Sequence, residues 1–144
     1  MRIILSLLAF SVSTPSVAAT PYCGWLAPLV GGTEVPEPTA LAQRLSFEKC
    51  AASQTETGPS FYCMNAFQYR SNTAITRFEG EVASIQDCFP GDAALPAPNG
   101  VNHPDTHNVR MFLVDQARIT VSLKDKAQHG KSYVFLQVEP NFAK

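Results

Sequence analysis

Asn102, His103, Asp105, His107 and Asn108 form the densest group of chemically able side chains in the 144-residue sequence. In an extended segment alternate residues point the same way, so His103, Asp105 and His107 would offer two imidazoles and a carboxylate to one metal ion. Pro104 bends such a segment, and Asn, Asp and His are also ordinary residues of solvated turns, so a loop is the simpler reading. The second group is the stretch at 124–131 (KDKAQHGK), where Lys124, Lys126, His129 and Lys131 surround one Asp. It reads most simply as a hairpin tip with Gly130 supplying a positive φ. Its functional reading is a contact loop, held by a rigid sheet, that presents those four side chains to a partner. Tyr22, Trp25, Tyr62 and Tyr69 can anchor an interface or, lying near cysteines, fill a core.

Motifs for common catalytic machinery are missing. No Gly-x-Ser-x-Gly turn exists to present a nucleophilic serine. Gly31-Gly32 is followed by Thr33 and Glu34 and no lysine, unlike a phosphate-binding loop. Glu79 and Glu81 flank Gly80 and read as a solvated rim rather than a glycosidase acid pair. These features lean away from an enzyme and imply no cofactor.

The elements that position these groups begin after an address. Residues 1–19 comprise a short positive start, the apolar run IILSLLAFSV and a small-residue stretch ending Val17-Ala-Ala19, the pattern of a cleavable signal peptide. The apolar run is too short to span a membrane, which takes about 20 residues. Cleavage leaves a single exported domain, residues 20–144, with ten basic and twelve acidic residues. That near-neutral balance gives no bulk attraction to nucleic acid or anionic lipid. Cys23, Cys50, Cys63 and Cys88 are separated by 27, 13 and 25 positions, with no close pair to grip zinc and no Cys-x-x-Cys. In a periplasmic or secreted protein they form two disulfides. Cys50 and Cys63 flank a turn-rich stretch, which favours a bridge across it, with Cys23 to Cys88 as the other.

Prolines and glycines over 20–39 predict an extended arm. Thr39 can cap a short helix over 40–52, on which Leu41 and Leu45 share a face. Residues 61–70 (FYCMNAFQYR) alternate as a strand, and 74–78 (AITRF) can return as the second arm of a central hairpin. Val82 to Cys88 reads as one helical turn or a short strand. Residues 90–105 form a long connection, and 109–114, 118–123 and 132–138 form a three-stranded antiparallel meander. The last of these has bulk on both faces and is expected to be central. The fold class is therefore a β-rich α+β single domain with at most one or two short helices.

Tyr22-Cys23-Gly24-Trp25-Leu26, Tyr62-Cys63-Met64, Ile75-Thr76-Arg77, Cys88, Asp92 and Leu95-Pro96 together resemble an uncharacterised family of small exported bacterial proteins. Its members carry a Cys-Gly-Trp-Leu start, a central Cys-x-Cys-Met strand, and a later Cys followed by Asp and Leu-Pro. The scattered matches run over residues 22–98. Phe61 stands where that family has its first central Cys, and the Trp-rich stretch after Trp25 is lacking. The resemblance implies an exported, disulfide-bearing fold and carries over no catalytic residue. The Phe61-Tyr62-Cys63 strand, leading into a hairpin expected over Phe67 to Phe78, is separately similar to one strand of small periplasmic lysozyme inhibitors. The reading that emerges is an exported periplasmic binding protein acting by surface contact on an envelope or extracellular protein, as an inhibitor, immunity factor or accessory subunit. The alternative is a small metal-dependent or hydrolytic protein centred on His103, Asp105 and His107, and a third is a structural envelope component.

Overall fold

The structure is a computed structural model that describes residues 20–32, 36–56, 58–92, 94–96 and 105–140. The signal peptide expected at 1–19 and the candidate ligand His103 lie outside them. Three helices, α1 (Pro21–Gly31), α2 (Pro38–Leu45) and α3 (Asn72–Cys88), accompany six strands. The strands are β1 (Lys49–Thr55), β2 (Gly58–Gln68), β3 (Leu95–Pro96), β4 (Thr106–Val114), β5 (Ala117–Lys126) and β6 (Lys131–Glu139). They form one antiparallel sheet in the order β1-β2-β6-β5-β4-β3.

The β-rich α+β class and the C-terminal meander β4-β5-β6 are as expected, and β6 sits centrally between β2 and β5. The helical share is larger than the one or two short helices expected. The extended arm is instead α1. Tyr22, Trp25, Leu26, Leu29 and Val30 recur at helical spacing and turn inward, Pro21 occupies a first-turn position, and Gly32 closes the helix at φ 62°. Pro28 costs this helix one internal hydrogen bond, and the Cys23–Cys88 bridge to the end of α3 offsets that weakness.

The expected return strand at 74–78 is also corrected: it lies within the 17-residue α3. Ser71 caps that helix by accepting the Ala74 N–H at 3.3 Å. Ala74, Phe78, Glu81 and Ile85 form its buried stripe. The hairpin partner of β2 is instead β1, in register from Lys49 opposite Met64 to Thr55 opposite Gly58. The helix expected over 40–52 stops at Leu45, because Ser46 turns left-handed at φ 58°. Its cap is Glu37, whose side chain accepts the Ala40 N–H at 2.8 Å, and not Thr39. Asn65 then fixes the entry to β1, accepting the Glu48 N–H at 2.5 Å and donating to the Ser46 carbonyl at 3.2 Å.

Both disulfides join as the sequence favours, Cys50 to Cys63 directly across the β1-β2 pair and Cys23 to Cys88 between α1 and α3. On the helix side of the sheet, Phe61, Cys63, Phe112, Ile119, Val121, Leu123, Val134, Leu136 and Val138 meet Leu26, Leu29, Leu41, Leu45, Phe47, Phe78 and Ile85. Fully burying one such side chain contributes about 1.5–3 kcal/mol, so this layer is the principal source of stability.

Candidate functional site

Strand alternation sends every second residue to the other face of the sheet. There β2 carries Tyr62, Met64 and Ala66, opposite Gln137, Phe135 and Tyr133 of β6. On β5, Thr120, Ser122 and Lys124 stand opposite the same three β6 residues. On β4, His107, Val109, Met111 and Leu113 complete the face. Among the described residues no helix covers it, and Tyr62, Leu95 and Leu113 are exposed there at 37, 43 and 45 %. Val109 and Ser122 on the same face are 6 % exposed, so the open part is the stretch around Tyr62, Phe135 and Tyr133 that no described helix covers, and large side chains left open there are a binding signal.

Two adjoining troughs cross this face. One, of about 200 Å³, is lined by Tyr62, Thr120, Ser122, Lys124, Phe135 and Gln137. The other, of about 280 Å³, is lined by Met64, Lys124, Lys126, His129, Tyr133 and Phe135. Lys124 and Phe135 are common to both. The Lys124 ammonium stands 5.2 Å from the centre of the Phe135 ring, within cation–π range. Tyr133 and Phe135 have ring centres 6.1 Å apart, and His129 meets Tyr133 edge-on at 6.2 Å. These contacts make a connected aromatic floor with cationic side chains at its hairpin end.

The hairpin tip brings the sequence-derived contact residues to this end. Ala127–His129 form a single tight helical turn, and Gly130 closes it at φ 59°, the positive angle expected of it. Lys124, Lys126 and His129 line the larger trough, while Lys131 lies opposite Lys126 across the strand pair. Asp105 holds the tip in place: one carboxylate oxygen accepts the Ala127 N–H at 3.0 Å and the other accepts Lys126 Nζ at 2.8 Å. The Lys126 hydrogen bond, followed by that of Ala127, holds the Asp105 carboxyl below its usual range.

Of the three candidate metal ligands, Asp105 is thus committed to the hairpin, and His107 sits on β4 directly opposite Lys124. Burial lowers the His107 pKa, and the charges of Lys124 and Lys126 lower it further. Its Nε2 is buried and lacks a hydrogen-bond partner among the described residues. No group of three or more His, Cys, Asp or Glu residues that could hold a metal occurs among the described residues.

Two polar clusters on the helix side are structural. The Tyr22 hydroxyl donates to Glu81, which is 1 % exposed, and Arg77 pairs with the same carboxylate at 3.0 Å. Arg77 also donates to the Leu45 carbonyl at 2.9 Å and lies 4.4 Å above the Phe47 ring. One carboxylate therefore ties α1 and α3 to the α2-β1 junction. Burial pushes the Glu81 carboxyl up, opposed by Tyr22 and Arg77, and burial raises the Tyr22 phenol beyond its ordinary range. In the second cluster Asp125 accepts Ser132 and Thr106 hydroxyls, each at 2.5 Å, and pairs with Arg70 at 3.6 Å. Of the four possible aromatic anchors, Tyr22 is spent in the first cluster, and Trp25 lies under the Arg44 guanidinium at 3.5 Å. Tyr69 follows β2 with the Arg70 guanidinium 5.1 Å from its ring, and Tyr62 is on the face that no described helix covers.

Phe135, Tyr133 and Met64 were not among the sequence-derived contact candidates, although the bulk on both faces of β6 is their signal. A strand with two apolar faces in a sheet with one helical layer leaves one of those faces open. Comparison of the chain with protein-family models, with curated proteins and with solved structures finds no match. The family resemblance of the Cys23–Leu26 and Tyr62–Met64 segments therefore stands on those residues alone.

Proposed function

We propose that this chain is an exported, non-enzymatic binding protein whose uncovered sheet face docks an envelope or extracellular protein, as an inhibitor, immunity factor or accessory subunit. The observation that carries the reading is the pair of adjoining troughs lined by Tyr62, Phe135 and Tyr133, with Lys124 and Phe135 common to both, on a face that no described helix covers. Large rigid aromatics with few rotatable bonds, with a methionine beside them, are the composition of interface anchors. With strands spaced about 4.8 Å apart and rising about 3.3 Å per residue, the five longer strands of the six-stranded sheet give a face roughly 20 by 25–30 Å. Its outline of about 500–600 Å² is somewhat less than the ~800 Å² each partner contributes to a standard interface.

The two disulfides support an oxidising location. No described helix is long and apolar enough to cross a membrane, which is compatible with the same placement. The test is comparative capture. Immobilised wild-type protein should retain a stoichiometric partner from an envelope extract, and the Tyr62→Asp/Phe135→Asp double variant should lose it. Glu79→Ala, on the exposed side of α3, should retain it. Loss of the partner with Glu79→Ala, or its retention by the double variant, overturns the reading.

A further inference from the structure

Resting on that reading, we propose that the trough at the hairpin end of the face receives an acidic side chain, flanked by an apolar one, from a segment of the partner protein. The lining divides cleanly into apolar walls, Met64, Tyr133 and Phe135, and positively charged or basic groups, Lys124, Lys126 and His129, with no carboxylate. Lys126 has its counter-charge in Asp105. Lys124 has none among the described residues, its ammonium being met only by the Phe135 ring face.

Two neighbours add to the same imbalance. Lys131 stands opposite Lys126, a like-charged pair that weakens strand pairing, and His107 stands opposite Lys124. His107 Nε2, buried and unpartnered, lies beside the same lysine. Burial first, and then the positive charges of Lys124 and Lys126, lower the His107 pKa. A carboxylate entering beside Lys124 would gain a charge-assisted hydrogen bond against a low-dielectric aromatic wall. The adjoining apolar side chain of the same segment would fill the rest of a trough of about 280 Å³.

An extended polyanion fits less well. Beyond the lysines of the hairpin end the face continues through Ser122, Thr120 and Gln137 to Arg118, whose charge is already met by Glu139 at 2.6 Å, and the chain as a whole carries a formal charge of −1. A peptide bearing alternating acidic and apolar side chains matches both halves of the lining.

The experiment selects a phage-displayed library of random dodecapeptides on the purified, disulfide-bonded protein, then measures the enriched peptides by titration and by amide chemical shifts. The expected result is enrichment of Asp or Glu beside Leu, Phe, Tyr or Trp, with shifts centred on Lys124, Tyr133 and Phe135. Lys124→Gln should weaken binding at least tenfold, whereas Lys124→Arg should stay within about threefold. Enriched peptides that lack an acid yet depend on Phe135 overturn this inference and leave the binding-face reading standing. Shifts confined to the helix side overturn both. Failure to enrich any peptide overturns the acidic-segment proposal. So does binding of inorganic phosphate as tight as the peptides, which marks a simple anion site. So does Lys124-dependent binding to phosphatidylglycerol vesicles that outcompetes the peptides.

Discussion

Replacing Tyr22 by Phe removes a single oxygen and leaves the ring in place, so the cost falls on Glu81 alone. That carboxylate is 1 % exposed and keeps only Arg77 once the hydroxyl is gone. A hydrogen bond to a charged buried group is worth about 1.5–3 kcal/mol, so a loss of about 2 kcal/mol is expected at pH 7. Burial raises the folded pKa of Glu81 above its ordinary value of 4.5. The native chain therefore holds this proton more tightly than the unfolded one. The contribution of Glu81 to stability is full below the unfolded value and shrinks as pH rises toward the folded one. Removing the Tyr22 donor takes away one of the two interactions that lower the folded value, so it climbs further and the penalty grows with pH. Urea unfolding should show a midpoint lowered by about 1 M at pH 7 and by less at pH 5. A loss under 0.5 kcal/mol, or a loss equal at both pH values, would refute the idea that this cluster joins the helical layer electrostatically.

Three further outcomes follow from individual residues. Gly80 sits exposed in the middle of α3 with nothing within 4 Å of a Cβ added there, so Gly80→Ala should stabilise the fold by about 0.5–1 kcal/mol in thermal unfolding. The Cys23–Cys88 bridge closes a span of 65 residues and Cys50–Cys63 one of 13, so Cys23→Ala/Cys88→Ala should cost about 4 kcal/mol and Cys50→Ala/Cys63→Ala about 3. Denaturant unfolding of the two double variants checks that order. The folded pKa of His107 lies below its ordinary 6.5, so the native chain binds fewer protons than the unfolded one and this residue withdraws stability as pH falls through 6.5. His107→Gln should flatten the stability profile between pH 7 and 5, as read by thermal unfolding across that range.

The strands were legible where alternation was strong. Ile119, Val121 and Leu123 of β5, and Val134, Leu136 and Val138 of β6, all face the core as period-two residues should. The turn-rich stretch between Cys50 and Cys63 favoured the observed pairing among the three connectivities that four cysteines allow. The helices were harder to read for specific reasons. Gly80 interrupts α3 with a residue that disfavours helix, although the Ser71 cap and the Ala74-Phe78-Glu81-Ile85 stripe override it. Prolines at 21 and 28 disguise α1, whose inward stripe and covalent tie to α3 outweigh the missing hydrogen bond. Glu81 read as a solvated rim because sequence cannot see that Tyr22 and Arg77, 59 and 4 residues away, converge on it. For the candidate site, Lys124, Lys126 and His129 were visible as a charged tip. Their aromatic floor required the register that sets Met64 opposite Phe135 and Phe135 opposite Ser122.

The most direct test of the binding face places a photo-activatable cross-linking residue singly at positions 62, 135 and 76 and illuminates the protein in an envelope extract. Tyr62 and Phe135 lie on the uncovered sheet face, and Thr76 is exposed on α3 behind the sheet. One discrete adduct shared by positions 62 and 135 and absent at 76 is expected. An adduct formed from position 76 but from neither 62 nor 135 would contradict it.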